Sequence, residues 1–367
     1  MSILFAENLI NRLHLKNRFV RSATYEAMAK PDGACSDALS RCLTGLARGG
    51  VGLIITGYAY VHKSGKASPL QMAIDRDDVV PAMRQLTGQV HKYGGKVALQ
   101  LSHAGGHTRA QWSLEPLLAP SPFKNLYGET TRELSRLEIS EIGDAFVKGG
   151  KRAQRAGFDA IQLHAAHGLL FNQFLSPAWN KRSDIYGGSL ENRARFLLET
   201  CSRLRQSLGR DYPILVKLNS EDFMEKGFTL DEAVWVSERL GDVGVDAIEV
   251  SGGSRYSGAK THIRSNISEA GDEAYFADNA RRIKVATRLL VMLVGGIRSF
   301  DLAEKLVQAG TADYISMSRP LIREPDLINR WKSGDKSKAK CISDNGCFVE
   351  VFRGEPLRCI ITEKKPI

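Results

Sequence analysis

The residues of this chain that could do chemistry concentrate between His164 and Phe196, in HAAHGLLFNQFLSPAWNKRSDIYGGSLENRARF. His164 stands where the short apolar run 158–163 (FDAIQL) ends, and His167 lies one turn further on, so both imidazoles are predicted to face one pocket. Two imidazole N–H donors aimed at one oxygen would polarise the group that carries it. The spacing also suits two hydrogen-bonded structural histidines, or half of a metal site. Against the metal, no third His, Cys or Glu follows at a zinc-like spacing and there is no HExxH.

Such a pair needs elements that end together. Short β-branched runs at 19–22, 51–56, 97–101, 160–164, 214–218, 247–250, 290–294 and 314–317 read as eight strands. Helical patterns lie between them at 79–93, 139–156, 190–207, 230–240, 273–286 and 300–309, several ending at a glycine that suits a C-cap. This alternation predicts an α/β fold, a (β/α)8 TIM barrel whose site is built at the C-terminal ends of the strands. The long segment 102–137 after the third strand, rich in Gly, Pro and polar residues, is expected to be a functional lid or capping segment more than a linker. The barrel is expected over residues 1–332, with 333–367 a short Cys-bearing extension packed on it.

At 367 residues and 43% hydrophobic content the chain can bury a large core. There is no apolar run of about 18 residues, and Glu7 and Asn8 interrupt the N-terminus, so a soluble cytoplasmic protein is expected. The net charge of +10 comes from dispersed Lys and Arg, which argues against nucleic acid and suits anionic cofactors and substrates. The expected partner is a small-molecule substrate, with neither nucleic acid nor membrane; homo-oligomerisation is left open. Six cysteines in so long a chain do not form a secreted disulfide framework, and Cys35, Cys42 and Cys201 read as ordinary thiols.

The strand ends carry polar groups that a core would not tolerate unpaired. In chain order these are Ser22, Ala23, Thr24 and Tyr25; Gly57; Gln100 followed by His103; His164 and His167; then Lys217 and Asn219. The last two strands end in Gly295-Gly296 and in Ser318-Arg319. Glycines let backbone N–H groups approach an anion, the loops after the seventh and eighth strands of such barrels commonly hold a phosphate, and an arginine adds a charge-assisted contact.

Together, NRFVRSATYE, VALQLSHAGG, the HAAHG…ENRARF segment, PILVKLNSED and GGI…SMSRPLIREPDL resemble the old yellow enzyme family of FMN-dependent NAD(P)H oxidoreductases, from about residue 3 to 332. The resemblance implies FMN lying on Ser22, Ala23, Thr24 and Gly57, with Gln100 on its pyrimidine edge. Lys217 takes the place of the family's basic residue beside N1 and O2, and Gly295, Gly296, Ser318 and Arg319 match the phosphate grip. His164 and His167 match the pair that hydrogen-bonds a substrate carbonyl or nitro oxygen. The implied activity is hydride transfer from NADH or NADPH through flavin N5 to a quinone, nitro compound or activated alkene. A fixed cation such as Lys217 would stabilise the charge gained on reduction. No Rossmann GxGxxG follows a strand, so the nicotinamide is expected to use the acceptor's pocket in ping-pong fashion. Two other readings remain open: a flavin dehydrogenase feeding electrons to a partner, and a noncatalytic flavin- or phosphate-ligand binding barrel.

Three departures from the family's pattern matter. Alkene-reducing members usually carry HGYL, whose tyrosine protonates carbon; here Leu169 stands in its place and cannot donate, whereas quinone and nitro acceptors need no such donor. Tyr25 stands where relatives often have Thr or Cys, and three readings stay open: it bonds the flavin, it replaces the missing acid, or it packs as part of the wall. Cys341, Cys347 and Cys359 fall short of the four-cysteine cluster motif of the dienoyl-CoA reductase branch in number and in spacing, with Asp344 where a second cysteine would stand. They could hold iron–sulfur or zinc, but a remnant without a cluster is the expectation. The sequence as given ends at Ile367, so that branch's second nucleotide-binding domain is not expected in it.

Overall fold

In the computed structural model, which describes residues 2–113 and 116–361, the eight apolar runs pair in parallel and close on themselves. The strands are β1 (Phe19–Arg21), β2 (Leu53–Tyr60), β3 (Lys96–Ser102), β4 (Ala160–Ala165), β5 (Ile214–Asn219), β6 (Ala247–Ser251), β7 (Leu290–Leu293) and β8 (Tyr314–Met317). Closure is made where β8 pairs with β1 through Ile315↔Phe19, Ser316↔Val20 and Met317↔Arg21. Helices α1 (Asp37–Arg48), α2 (Val80–His91), α3 (Arg136–Arg155), α4 (Leu190–Leu208), α5 (Leu230–Asp242), α6 (Ala277–Ala286), α7 (Phe300–Gln308) and α8 (Leu327–Lys332) follow the strands in turn. This is the (β/α)8 barrel expected. Helix starts are set by local chemistry: α3 and α5 open on capping boxes, Ser135 with Glu138 and Thr229 with Glu232.

The N-terminal end of the barrel is plugged by an antiparallel hairpin, Asn8–Ile10 with Leu13–Leu15, that the strand pattern did not reveal. Its turn places Asn11 at φ 53, a conformation asparagine tolerates in two-residue hairpin turns. Ile10, Leu13 and Leu15 pack against Val20, Ala98, Leu215 and Tyr314 inside the barrel. An apolar floor of this kind leaves only the opposite end open.

Two boundaries differ by four residues from the sequence reading, the others by three or fewer. β2 runs past Thr56 to Tyr60, with a register shift between Ile55 and Tyr58, so Gly57 lies in a bulge within the strand. Residue 273 is not helical. The Glu273 carboxylate accepts from the N–H groups of Arg298 and Ser299 at the start of α7, and α6 begins only at Ala277. The described part of the tail lies over the open end: Ala339 N–H donates to the Arg298 carbonyl, and Leu357 N–H to that of Glu26. Cys347, Val351 and Leu357 bury against Ala27 there. Residues 362–367 of the expected extension lie outside the described residues.

Candidate active site

A cavity of about 970 Å³ sits at the C-terminal ends of the strands, within the size range of small-molecule sites. Of the residues singled out from sequence, Ser22, Ala23, Thr24, Tyr25, Gln100, His164, His167, Leu169, Lys217, Gly296, Ser318 and Arg319 all line it. Gly57 and Gly295 do not line it. The Gly57 N–H donates to Glu26 Oε1 at 3.0 Å, and a Cβ there would run into Glu26, which is itself paired with Arg21 at 2.9 Å. Gly57 therefore makes room for a buried ion pair behind the wall, while Tyr58, one residue on, faces the cavity.

The floor is a polar layer made by strand register. Gln100 pairs in register with Gln162, and Lys217 with Glu249. Lys217 Nζ donates to Ser22 Oγ at 2.8 Å and lies 3.3 Å from Glu249 Oε2, with both partners of the ion pair buried. Thr24 Oγ1 and Ser318 Oγ are 2.7 Å apart. The Oγ of Ser316, a residue that also lines the cavity, is buried without a hydrogen-bond partner among the described residues.

The histidines lie on one wall, their rings 5.0 Å apart and nearly perpendicular. The Ala166 N–H donates to His164 Nδ1 at 3.3 Å, which puts the ring proton on Nε2. His167 takes the left-handed conformation, φ 60, held by its N–H donating to Asn219 Oδ1, and its Nε2 is 2.7 Å from Ser251 Oγ. Both rings are held well below the ordinary histidine range by burial, with Lys217 adding to the effect on each. They are thus neutral hydrogen-bonding groups. His167 differs from the expectation in having Nε2 already engaged.

Three further wall residues were not found from sequence. His262, from the loop after β6, stacks on His167 with centroids 4.1 Å apart, and burial pushes it down to about 3. Tyr58 packs against Tyr25 at 5.5 Å and meets the His164 ring edge-on. Burial pushes Tyr58 up to about 12 and Tyr25 higher still, so both phenols keep their protons. Asn345 of the tail accepts from Arg319 at 2.6 Å. A loop histidine and a tail asparagine have no periodicity to betray them; Glu249, a lone charge inside the strand AIEVS, could have been suspected.

The anion end rests on Arg319. Only 7% exposed, it donates to the Arg264 carbonyl and to Asn345, and among the described residues no carboxylate lies within ion-pairing distance of it. Gly296, at φ 73, packs so closely on Tyr275 that a Cβ would come within 2.9 Å of the ring. Of the tail thiols, burial pushes Cys347 up to about 11 and raises Cys341, with the Arg319 guanidinium offsetting part of the rise at each. Among the described residues, no three His, Cys, Asp or Glu side chains are placed to hold a metal ion. No described helix is long and apolar enough to cross a membrane.

Residues 4–338 match the profile of the NADH:flavin oxidoreductase / NADH oxidase family. The chain belongs to that family. An NADH oxidase of Thermoanaerobacter brockii is 38% identical over 365 residues, covering 98% of this chain and 55% of the relative. An NADPH dehydrogenase of Geobacillus sp. (strain WCH70) is 34% identical, covering 88% of this chain and 92% of the relative. Among solved structures, that of 2-naphthoyl-CoA reductase superposes with a TM-score of 0.91 at 26% identity, over 98% of this chain and 57% of the other. The chain spans about half the length of the first of these curated relatives. Family membership implies FMN as cofactor and NAD(P)H as reductant. The residues present fit FMN: a buried guanidinium without an acid partner suits a phosphate, and the unpartnered Ser316 hydroxyl and the Lys217 ammonium suit a polar ring system.

Proposed function

We propose that this chain is an FMN-dependent oxidoreductase that takes hydride from NAD(P)H and passes it to a small electrophilic acceptor, a quinone or nitro compound in preference to a simple enone. The observation that carries the reading is Arg319, a buried cation lacking an acid partner among the described residues, in the same cavity as neutral His164 and the Lys217 ammonium. When bound, FMN supplies a two-electron carrier that accepts hydride from one substrate and releases it to another. Arg319, Ser318 and Gly296 would hold its phosphate. Gln100, Ser22, Thr24 and Lys217 would hold the polar edge of its ring, with Ala23 beside it. Lys217 brings positive charge to where electron density rises on reduction.

His164, with its proton on Nε2, donates to the acceptor oxygen, and His167 shares that wall through the nitrogen not bonded to Ser251. Leu169 lines the cavity but has no proton to give. Tyr25, Tyr58 and His262 are donors near the two histidines, and none occupies the Leu169 position. Acceptors that take protons at oxygen escape this restriction, which supports the preference for quinone and nitro compounds.

Purified protein reconstituted with FMN tests the reading. Arg319→Ala should weaken FMN binding about 10- to 100-fold, the worth of a charge-assisted contact of ~1.5–3 kcal/mol. Lys217→Met should keep FMN yet slow its reduction by NAD(P)H. Initial-rate plots should run parallel. Wild-type protein that takes up no FMN, or an Arg319→Ala variant with unaltered affinity, sinks the proposal.

A further inference from the structure

A buried carboxylate stands at the centre of the barrel where neither packing nor hydride transfer requires one. Glu249 is fully buried, and among the described residues its Oε1 has no hydrogen-bond partner. Its Oε2 lies 3.3 Å from Lys217 Nζ and accepts from Gln162 Nε2 at 2.9 Å. An apolar residue at this point of AIEVS would avoid the cost of half-satisfied charge, so the charge has another use.

The hydrogen bonds around it have a direction, and Glu249 fixes that direction. A carboxylate only accepts, so Gln162 must turn its Nε2 toward it and its Oε1 away. That Oε1 accepts from Gln100 Nε2 at 2.7 Å. Gln100 therefore has its amide nitrogen turned below, with one N–H committed to Gln162, and its Oε1 turned away as an acceptor for a ligand. The same Glu249 sits against the Lys217 ammonium of the floor, which also donates to Ser22 Oγ and keeps a third N–H. One side chain thus sets both the sense of the Gln100 amide and the net charge of the cavity floor.

We propose that Glu249 is a positioning residue for the flavin: through Gln162 it makes Gln100 present an acceptor to the cofactor, and beside Lys217 it offsets the ammonium and holds the reduction potential down. This rests on the FMN reading above. A negative charge one contact from Lys217 opposes the stabilisation that Lys217 gives to a reduced ring, so removing it should favour reduction.

The experiment compares wild type, Glu249→Gln and Gln162→Met, each loaded with FMN, by spectroelectrochemical titration and by fluorescence titration of apoprotein with FMN. Glu249→Gln should favour the reduced cofactor at least tenfold, an upward shift of about 30 mV for a two-electron couple. Gln162→Met keeps the charge and breaks the amide relay; it should weaken FMN binding several-fold and leave the potential near that of wild type. Should Glu249→Gln fail to fold, Glu249→Asp keeps the charge and should hold the wild-type potential. A Glu249→Gln potential equal to wild type, a Glu249→Asp potential shifted upward tenfold, or a Gln162→Met variant with unchanged affinity overturns the proposal. Wild type that binds no FMN instead defeats the functional reading, so the two failures are told apart.

Discussion

Among single residues, position 169 is where the proposed acceptor preference can be tested. Leu169 lines the same cavity as the two histidines, at the position where the family resemblance puts a proton donor to carbon. General acid catalysis is worth about 10²–10⁴-fold, so wild type should reduce a quinone much faster than 2-cyclohexenone. Leu169→Tyr should raise the enone rate at least tenfold with little change for the quinone, as read from stopped-flow reoxidation of the reduced enzyme. Equal wild-type rates on both acceptors would show another acid at work. Tyr58 and Tyr25 are then the groups to replace by Phe, since burial keeps both phenols protonated.

Among the elements, β2 shows how a strand irregularity serves the site behind it. The bulge at Gly57 lets Glu26 reach the backbone and pair with Arg21, whose own NH1 donates to the Ile55 carbonyl at 2.6 Å. Gly57→Ala drives a methyl into that buried carboxylate, and overpacking of this kind costs about 1–3 kcal/mol. Gly45 in α1 is the contrast, for a Cβ there meets nothing within 4 Å. Gly45→Ala should stabilise by about 0.5–1 kcal/mol, the usual gain inside a helix. Urea denaturation of the two variants checks both signs; a Gly57→Ala as stable as wild type would mean the bulge is not constrained by Glu26.

For the molecule taken entire, burial of neutral histidines makes stability depend on pH. His103, hydrogen-bonded to Ser64 and to the Gly105 N–H, is pushed by burial down to about 3. In the unfolded chain it takes a proton below about pH 6.5, whereas the folded chain resists doing so. Its contribution is therefore full above about pH 6.5 and is lost as pH falls toward 3, at up to ~1.4 kcal/mol per pH unit. His107 and His262, both pushed to about 3, act in the same direction, and the raised carboxyl of Glu26 acts in the opposite one. His103→Gln should flatten the acid limb of a stability-against-pH curve between about pH 3 and 6.5 without altering it above. An unchanged limb would show that His103 titrates normally in the fold.

Amino-acid order alone was enough to set the strands, the helices between them and the barrel they close, because periodicity and caps are local properties that each segment carries alone. It was also enough to mark the strand-end residues of a site, and eleven of the residues so marked do line one cavity. Tertiary contacts decided the rest. Gly57 moved behind the wall because a carboxylate 31 residues earlier claims its N–H. His262 and Asn345 joined the site from segments without periodicity, and Glu249 gained its significance from Lys217 and Gln162 on other strands of the barrel. Hydrogen bonds between residues far apart in the chain fix what each polar group has left to offer, and no local pattern encodes them.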